Sequence, residues 1–209
     1  MIAADLYLNK IDFLKYLPQT DCQECGEISC VQFIQQLKRG IRTPKECTFL
    51  TDSQIKAFHL ALHGEKILPP VPALDLPRPA APGMVEINHP NESSLVLVSG
   101  NSEFTQEVLS SIMACTLSSY WLLFVDCRGD TIDMAMIYES FTVEKIMRAL
   151  EELPVHWRRE IIVPGFASPV KQPLEQQTER KVTVGPLCIA ELPLFLGDDW
   201  EVPSDINLG

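Results

Sequence analysis

The stretch TDCQECGEISCVQFIQQLKRGIRTPKEC, residues 20–47, holds four of the seven cysteines in a chain of 209 residues. Cys22, Cys25, Cys30 and Cys47 follow the spacing C-x2-C-x4-C-x16-C. A unit of about 60 residues buries little apolar surface and usually needs a cross-link or a metal to be stable. We therefore expect these four thiols to hold a metal centre that stabilises the N-terminal part of the chain.

Two kinds of metal centre fit this spacing. Zinc ribbons and fingers use two separated C-x2-C or C-x2-H pairs, and only one such pair is present in this stretch. A cuboidal iron-sulfur cluster takes its ligands from several directions, which suits a fourth cysteine that follows a helix. The spacing favours an iron-sulfur cluster, while a zinc site and a purely structural metal stay open.

Short helices are predicted on both sides of the cysteine loop. The first covers residues 7–17 and ends before a proline. Ser29 is placed to cap a second helix that ends near Gly40, and Thr51 with Gln54 forms a capping box for a third. The cysteines are thus expected in a small α-helical domain.

The charge of the chain excludes several classes of partner. The net charge is -11, and nucleic acids or anionic membranes are bound by Lys and Arg patches that this composition does not supply. No N-terminal stretch has the zones of a signal peptide, and no apolar run is long enough to span a bilayer. We expect a cytoplasmic protein with no nucleic-acid and no membrane partner.

Cysteine usage agrees with a metal or redox role. In a reducing compartment, seven cysteines are not expected to form structural disulfides, so clustered thiols indicate metal or redox chemistry. The three scattered cysteines, Cys115, Cys127 and Cys188, are interpreted as small buried apolar residues. The histidines are interpreted as surface or packing residues: His59, His63, His89 and His156.

Residues 65–90 contain seven of the sixteen prolines. Proline removes backbone donors and favours extended conformations, so we predict a proline-rich linker. The alternative is a loop wrapped onto the following domain, because apolar residues of this segment can pack there. The chain is accordingly divided into a cluster domain at 1–64, the linker at 65–90 and a second domain at 91–209.

From residue 94 onward, short apolar runs alternate with helical stretches. This alternation predicts an α/β domain with a parallel sheet covered by helices. Glycine-containing turns follow the strands, and ligands bind beyond the carboxyl ends of strands in open α/β sheets. The predicted strands are 94–99, 121–126, 160–164 and 181–185, and the predicted helices lie around 104–118, 142–152 and 186–196.

The cysteine segment resembles the four-cysteine 4Fe-4S module of the large (gamma) subunit of the corrinoid iron-sulfur protein of the acetyl-CoA pathway. A similar module occurs in RnfB-type electron-transfer subunits. The resemblance implies a 4Fe-4S cluster with the four cysteines as its ligands. The matching positions are Cys22, Cys25, Gly26, Cys30, Leu37, Gly40 and Cys47.

The second part of the chain is similar to the carboxyl-terminal domain of the same large subunit. The similar segments are SSLVLVSGNSEFT (93–105), WLLFVDCRGDTIDMAMIYESFTVEKI (121–146), REIIVPGFASP (159–169) and KVTVGPLCIAELPLFL (181–196). In that family this domain is a Rossmann-like sheet that holds a corrinoid, a cobalamin-type cofactor, in its base-off form. The family places a TIM barrel between its two domains. Here the proline-rich segment stands in that place, so the chain resembles a truncated form.

The pairing of cofactors implied by the resemblance is chemically coherent. Fully reduced cobalt is a strong nucleophile that occasionally loses an electron, and it must be returned to its active state at very low potential. Iron-sulfur clusters reach about -700 mV, and a corrinoid without a nitrogen ligand on its lower face is easier to reduce. The sequence has no D-x-H-x-x-G signature of histidine-on cobalamin binding.

The resemblance also assigns corrinoid contacts to turn residues at the strand ends. Thr105 begins a helix whose N-terminal amides are placed to meet propionamide or phosphate oxygens. Met134 stands where the family commonly has a threonine below the cobalt, and Glu139 and Ser140 replace a Gly-Lys pair. The alternative is that these are ordinary turn residues and a core methionine. The candidate cofactor-binding residues are Ser99, Gly100, Asn101, Thr105, Gly129, Met134, Pro164, Gly165, Phe166, Gly185 and Pro186.

Two functions of different classes follow from these patterns. The first is a small corrinoid iron-sulfur protein, in which the cluster reactivates bound cobalt for methyl transfer. The second is an electron-transfer partner that docks on a separate corrinoid protein without binding corrinoid itself; a zinc-stapled interaction protein ranks third. The sequence lacks P-loop, G-x-S-x-G and H-E-x-x-H motifs, so a carrier is favoured over an independent enzyme. The expected protein partner is a methyltransferase, a corrinoid protein or a reductant.

Overall fold

The structure is a computed structural model that describes residues 8–70, 76–153, 160–197, 199–204 and 206. The N-terminal part is helical, as the sequence predicts. It contains a 3-10 helix at Phe13–Tyr16, helix α1 at Cys30–Lys38, a 3-10 helix at Pro44–Glu46, helix α2 at Asp52–Leu62 and a short helix α3 at Gly64–Ile67.

The predicted caps of α1 and α2 are confirmed. The Ser29 side chain accepts a hydrogen bond from the backbone N of Gln32 at the start of α1. At the start of α2, Thr51 and Gln54 form the expected capping box. Each cap supplies partners for backbone groups that the first helical turn leaves unpaired.

The helix predicted over residues 7–17 is different in the structure. Its first residue lies outside the described part of the chain. Leu8 is helical, residues 9–10 form a turn, and a separate 3-10 helix covers Phe13–Tyr16. The reason is local: the Asp12 side chain accepts a hydrogen bond from the backbone N of Leu14. Asp at this position starts a new helical turn instead of continuing an earlier one.

The second part of the chain is a mixed five-stranded sheet with helices on both faces. The strand order is β1-β3-β2-β4-β5, and β2, β3, β4 and β5 are mutually parallel. The elements are β1 Gly83–Ile87, β2 Leu95–Gly100, α4 Glu103–Met113, β3 Tyr120–Val125, α5 Ile132–Ile137, α6 Val143–Leu150, β4 Ile161–Val163, α7 Lys171–Thr178, β5 Val182–Val184 and α8 Leu192–Leu196. Two 3-10 helices, Gly165–Val170 and Ile189–Glu191, precede α7 and α8.

Strand β1 corrects the expectation of an all-parallel sheet. It lies inside the proline-rich interval 65–90 and pairs with β3 in the antiparallel direction, with Gly83 opposite Phe124 and Ile87 opposite Tyr120. An edge strand can tolerate neighbouring prolines because only one of its sides forms backbone hydrogen bonds. This part of the interval therefore wraps onto the sheet, while the domain boundaries at 64 and 91 stay a prediction.

The strand order creates a switch point next to β2. The chain leaves β2 for β3 on one side and then crosses to β4 on the other side of β2. In open α/β sheets, the connections diverge at such a point and leave a crevice at the carboxyl ends of the strands. The crevice is expected between the loops that follow β2 and β4.

The N-terminal helices and one face of the sheet share a single hydrophobic core. Phe13, Phe33 and Phe58 belong to the same buried cluster as Leu97 of β2 and Ile112 of α4. Helix α2 packs directly on α8. A second core on the opposite face of the sheet is covered by α5, α6 and α7. None of the helices in the described part of the chain has the length and apolar character that a bilayer crossing requires.

Candidate functional site

The structure brings the four predicted metal ligands to one place. Cys22, Cys25, Cys30 and Cys47 all line one small pocket in the N-terminal part. Cys22 is exposed, whereas Cys47 is buried, with 8% of its surface accessible. Phe33, which is buried in the core, also lines the pocket. The pocket thus has a solvent-facing edge at Cys22 and an apolar inner side.

Left-handed backbone conformations concentrate at the cysteine loop. Asp21 and Gln23, with φ of 49° and 65°, flank Cys22, and Gly26 has a φ of 82°. This region costs a non-glycine residue about 1 kcal/mol or more. The Asp21 carboxylate accepts a hydrogen bond of 2.7 Å from the backbone N of Cys30. That bond fixes the loop against the first turn of α1 and offsets part of the backbone cost.

Arg42 joins the two segments that carry the cysteines. Its Nε donates to Glu27 Oε1 at 2.9 Å, and its Nη1 donates to Glu46 Oε2 at 2.7 Å. Glu27 lies two residues after Cys25, and Glu46 directly precedes Cys47. The cysteine spacing did not identify these residues. The opposite charges of Arg42 and Glu46 at i and i+4 are the sequence signal that could have found them.

The four sulfurs of the pocket lie near one another. Burial raises the pKa of the Cys47 thiol, and charge repulsion from Cys25, Cys30 and Cys22 adds to this rise, so the four sulfurs are close enough to interact. Among the described residues, no three His, Cys, Asp or Glu side chains are placed to hold one metal ion. A zinc ion with each sulfur about 2.3 Å from one point and a cuboidal cluster with separate iron corners both take four thiolate ligands.

The other three cysteines are core residues, as the sequence predicts. Cys115, Cys127 and Cys188 are 8%, 0% and 7% exposed. Burial raises the pKa of each of these thiols, to about 11 for Cys127. They therefore stay protonated and unreactive at neutral pH. Of the histidines, His59 is buried and His89 is exposed, while His156 lies outside the described residues.

A cavity of about 180 Å³ opens at the carboxyl ends of β2, β4 and β5. It lies at the switch point of the sheet, where the topology predicts a ligand. Its walls are largely apolar, and its polar side chains are the hydroxyls of Ser99, Thr105 and Thr131 and the carboxylate of Asp133. Thr131 Oγ1 donates to Asp133 Oδ1 at 2.6 Å. Such a site suits an apolar ligand that carries a few polar arms.

Six of the predicted cofactor-binding residues line this cavity: Ser99, Thr105, Pro164, Phe166, Gly185 and Pro186. Sequence reasoning missed other lining residues. Most are apolar, and apolar side chains in strands and helices look the same whether they face a cavity or the core; Thr131 and Asp133 are polar residues at the start of α5. The missed lining residues are Leu97, Val98, Leu109, Thr131, Ile132, Asp133, Ile162, Val163, Leu187, Ile189 and Leu192.

The other five predicted residues do not line the cavity: Gly100, Asn101, Gly129, Met134 and Gly165. Met134 is half-buried in α5, one residue beyond the cavity-lining Asp133. The Asn101 amide is fully occupied by the protein, since its Nδ2 donates to Ala80 O at 2.8 Å and its Oδ1 accepts from Cys127 N at 2.7 Å. Its interactions match those of a turn residue.

The segment at residues 78–81, which we call the strap, covers the ends of β2 and β3. Ala80 N donates to Asn101 O at 2.8 Å, and Glu103 N, at the start of α4, donates to Arg78 O at 2.8 Å. The first amide of α4 is therefore bonded to the protein, whereas a phosphate or propionamide contact at the next amides, near Thr105, stays a prediction. The strap lies against Gly129, whereas Gly100 faces the side chains of Ile132 and Cys127.

Two of the predicted glycines are required by close backbone approaches. A Cβ on Gly129, where φ is 82°, would lie 2.3 Å from the backbone N of Pro79 in the strap. A Cβ on Gly165 would lie 2.8 Å from the backbone N of Leu187, which brings the loops after β4 and β5 together. Both glycines shape the edge of the sheet through the protein's own backbone.

Two family models match the chain. Residues 17–49, which contain all four clustered cysteines, match the model described as "Putative Fe-S cluster". Residues 73–196, which contain the five strands and the cavity, match the model described as "CO dehydrogenase/acetyl-CoA synthase delta subunit". The second match covers more than half of the chain. The predicted iron-sulfur module and the stated family resemblance are confirmed by these matches.

Curated relatives agree with the second match. The acetyl-CoA decarbonylase/synthase complex subunit gamma of Methanopyrus kandleri is 31% identical over 123 residues, which are 57% of this chain and 27% of the relative. The subunit gamma of Archaeoglobus fulgidus is 25% identical over 122 residues, 57% of this chain and 26% of the relative. The subunit gamma of Methanocaldococcus jannaschii is 24% identical over 155 residues, which are 68% of this chain and 32% of the relative. The chain spans about a quarter to a third of the length of these relatives.

Proposed function

Since the chain belongs to the family of the CO dehydrogenase/acetyl-CoA synthase delta subunit, we propose that it is a small corrinoid iron-sulfur protein that takes part in methyl transfer. The observation that carries this proposal is the presence of two sites in one chain, the four-cysteine pocket and the open cavity at the switch point. The proposal assigns residues 1–64 to a cluster domain, 65–90 to a connecting segment and 91–209 to a Rossmann-like corrinoid domain.

In this proposal Cys22, Cys25, Cys30 and Cys47 bind a 4Fe-4S cluster. The match of residues 17–49 to an iron-sulfur family and the shared pocket support this assignment. Arg42 holds the two ligand-bearing segments together through its carboxylate partners. The exposed position of Cys22 supports an entry point for electrons on this side of the pocket.

The cavity accommodates part of a corrinoid. Pockets for drug-sized ligands measure about 300–1,000 Å³, and this cavity of about 180 Å³ is smaller. A corrinoid bound here would contact residues at the mouth of the cavity as well as its inner wall. Phe166 and Leu187 line the cavity and are 49% and 60% exposed, so they offer the ring an apolar surface. The described lining contains no histidine that could bind cobalt in place of the corrinoid's own base.

A bound corrinoid supplies a cobalt centre that accepts and hands on a methyl group, and the cluster supplies the single electron that restores this cobalt after accidental oxidation. The chain's own residues bind and orient the cofactor. Leu97, Ile162 and Leu192 exclude water from the inner wall. The bonded pair of Thr131 and Asp133 offers a fixed carboxylate at the cavity for amide donors.

The relatives are named as subunits of a complex, so we propose protein partners for this chain as well. A methyltransferase, a second corrinoid protein or a reductant would fit the chemistry. The five predicted contacts that lie outside the cavity favour an alternative function. In that case the sheet binds no corrinoid, and the cluster donates its electron to a corrinoid on another protein.

A pair of matched leucine variants tests the proposal. Leu187 and Leu117 are similarly exposed, at 60% and 57%, but only Leu187 lines the cavity. We expect Leu187→Glu to weaken cobalamin binding by about tenfold or more, because a charge at an apolar mouth must be desolvated. Leu117→Glu should bind cobalamin with the same affinity as the unchanged protein. Binding is followed by the visible spectrum of cobalamin under anaerobic conditions.

The same titration distinguishes the alternatives. Equal weakening by both variants would place the corrinoid elsewhere and overturn the assignment of the cavity. Cluster-loaded protein that binds no cobalamin at all would support the electron-transfer function. Protein that contains zinc and no acid-labile sulfide would exclude both.

A further inference from the structure

A partly buried hydrogen bond connects the N-terminal part of the chain to the wall of the cavity. Tyr16 Oη donates to Glu191 Oε1 at 2.7 Å, although the two residues are 175 positions apart. Lys15 Nζ forms an ion pair with the same carboxylate oxygen. Glu191 is only 3% exposed, so this carboxylate depends on Tyr16 and Lys15 for compensation of its charge.

Each partner lies next to a residue of one of the two sites. Tyr16 directly precedes Leu17, which lines the cysteine pocket. Glu191 ends the 3-10 helix Ile189–Glu191 and directly precedes Leu192, and both Ile189 and Leu192 line the cavity. The route from one site to the other therefore consists of two peptide bonds and one hydrogen bond.

The surroundings make this contact stiff. Phe13 and Phe58 pack with their ring centroids 5.9 Å apart, and Phe13 shares the 3-10 helix of Tyr16. A Cβ on Gly64 would lie 3.8 Å from the Cβ of Ala190, so the start of α3 passes close to the residue before Glu191. Burial and the bond to Glu191 raise the pKa of Tyr16 far above its ordinary value, and the hydroxyl thus stays a donor at all physiological pH values.

We propose that Tyr16 and Glu191 are positioning residues that couple the cysteine pocket to the cavity, so that a change in one site alters the other. When the cysteine loop is ordered by its cluster, Leu17 and Tyr16 are held in place, and the hydrogen bond then fixes the cavity wall at Ile189 and Leu192. This inference rests on the proposed function because it takes the cysteine pocket as the cluster site. Coupling of this kind is reciprocal.

Hydrogen exchange on the full chain tests the coupling without corrinoid. In the unchanged protein, we expect amides of residues 186–197 to exchange about fivefold more slowly with the cluster than in protein prepared without iron. Tyr16→Phe removes the hydroxyl but leaves Lys15 paired with Glu191, so the fold is kept and the effect of the cluster should disappear. Glu191→Gln should also abolish the effect of the cluster on the exchange of residues 186–197.

Ser53→Ala is the matched control. The Ser53 side chain also forms a hydrogen bond to a distant part of the chain, at Asp199, and neither residue lines the cavity. This variant should keep the full effect of the cluster on residues 186–197. The coupling would be overturned if the cluster slowed exchange in Tyr16→Phe as much as in the unchanged protein. It would also be overturned if the cluster did not slow exchange in the unchanged protein.

Cobalamin titration separates this inference from the proposed function. If the coupling holds, the cluster should tighten cobalamin binding about fivefold in the unchanged protein and leave the affinity of Tyr16→Phe unaltered. Failure of cobalamin to bind in either state would reject the corrinoid role, while the exchange experiment would still decide the coupling. Protein that assembles no cluster would reject both.

Discussion

Cys25 lies half-buried in the pocket that it shares with Cys22, Cys30 and Cys47. We expect Cys25→Ala to lose nearly all of its iron and acid-labile sulfide, because an iron corner then has no thiolate ligand. The measurement is iron and sulfide analysis of anaerobically purified protein. Cys115→Ala is the control, since it also removes one thiol but lies outside the pocket. Loss of iron in both variants would argue against the ligand assignment.

His59 is expected to make the fold sensitive to acid. Both of its ring nitrogens are buried without a hydrogen-bond partner among the described residues. Burial, followed by the charges of His63 and Lys45, lowers the pKa of His59 from 6.5 to about 4. The unfolded chain therefore binds this proton at a higher pH than the folded chain does. The free energy of unfolding therefore has its full value above about pH 6.5, where His59 is neutral in both states. It decreases by up to about 3 kcal/mol as the pH falls towards about 4.

The variant His59→Leu should remove this dependence. Its free energy of unfolding, measured with denaturant at a series of pH values, is expected to fall less steeply between about pH 6.5 and pH 4 than that of the unchanged protein. His89→Asn is the control, because His89 is exposed and has a φ of 51° that Asn tolerates. If the free energy of unfolding of His59→Leu falls as steeply with acid as that of the unchanged protein, groups other than His59 cause the pH dependence.

Asn101 shows why single residues could be located better than their contacts. Its place after a strand was predictable from the pattern of apolar residues and turns. Its amide, however, is bonded to Ala80 and Cys127, and these partners come from segments 21 and 26 residues away. The cysteines were different, because metal ligation depends on residue type and spacing that the sequence shows directly.

At the scale of elements, the backbone of the strap passes very close to Gly129, in the loop that follows β3. Gly129→Ala places a Cβ 2.3 Å from Pro79 N and 2.5 Å from Arg78 C at a φ of 82°. We expect it to lower the free energy of unfolding by more than about 3 kcal/mol, because strain and a backbone clash add. Denaturant unfolding measures this change.

Gly40→Ala provides the comparison for this prediction. Gly40 has a φ of 68°, and a Cβ there would meet no atom within 4 Å. The variant should therefore show only the conformational cost, about 1–2 kcal/mol. Equal costs in both variants would mean that the strap moves away from β3 without penalty.

Helices with side-chain caps were predictable as elements, but β1 was not. Ser29 and Thr51 mark the starts of α1 and α2 through local chemistry. In contrast, β1 has five residues next to prolines and is formed only by its pairing with β3, more than 30 positions later. Short strands of this kind depend on a partner that local patterns do not reveal.

At the scale of the whole molecule, the helical part and the sheet form one body in the described residues. The sequence predicted the two parts: the first has a cysteine motif, and the second resembles a corrinoid-binding family. It did not predict that Phe13, Phe33 and Phe58 enter the same core as Leu97. A proline-rich interval is compatible with a free linker or a packed segment, and only long-range apolar contacts decide between them.

The central claim is that one chain holds both an iron-sulfur cluster and a corrinoid. The most direct test is elemental analysis of the protein peak from anaerobic gel filtration after mixing with cobalamin. We predict about four irons, four sulfides and one cobalt per chain in the same peak. Zinc without sulfide, or cobalt that elutes only with free cobalamin, would contradict the claim.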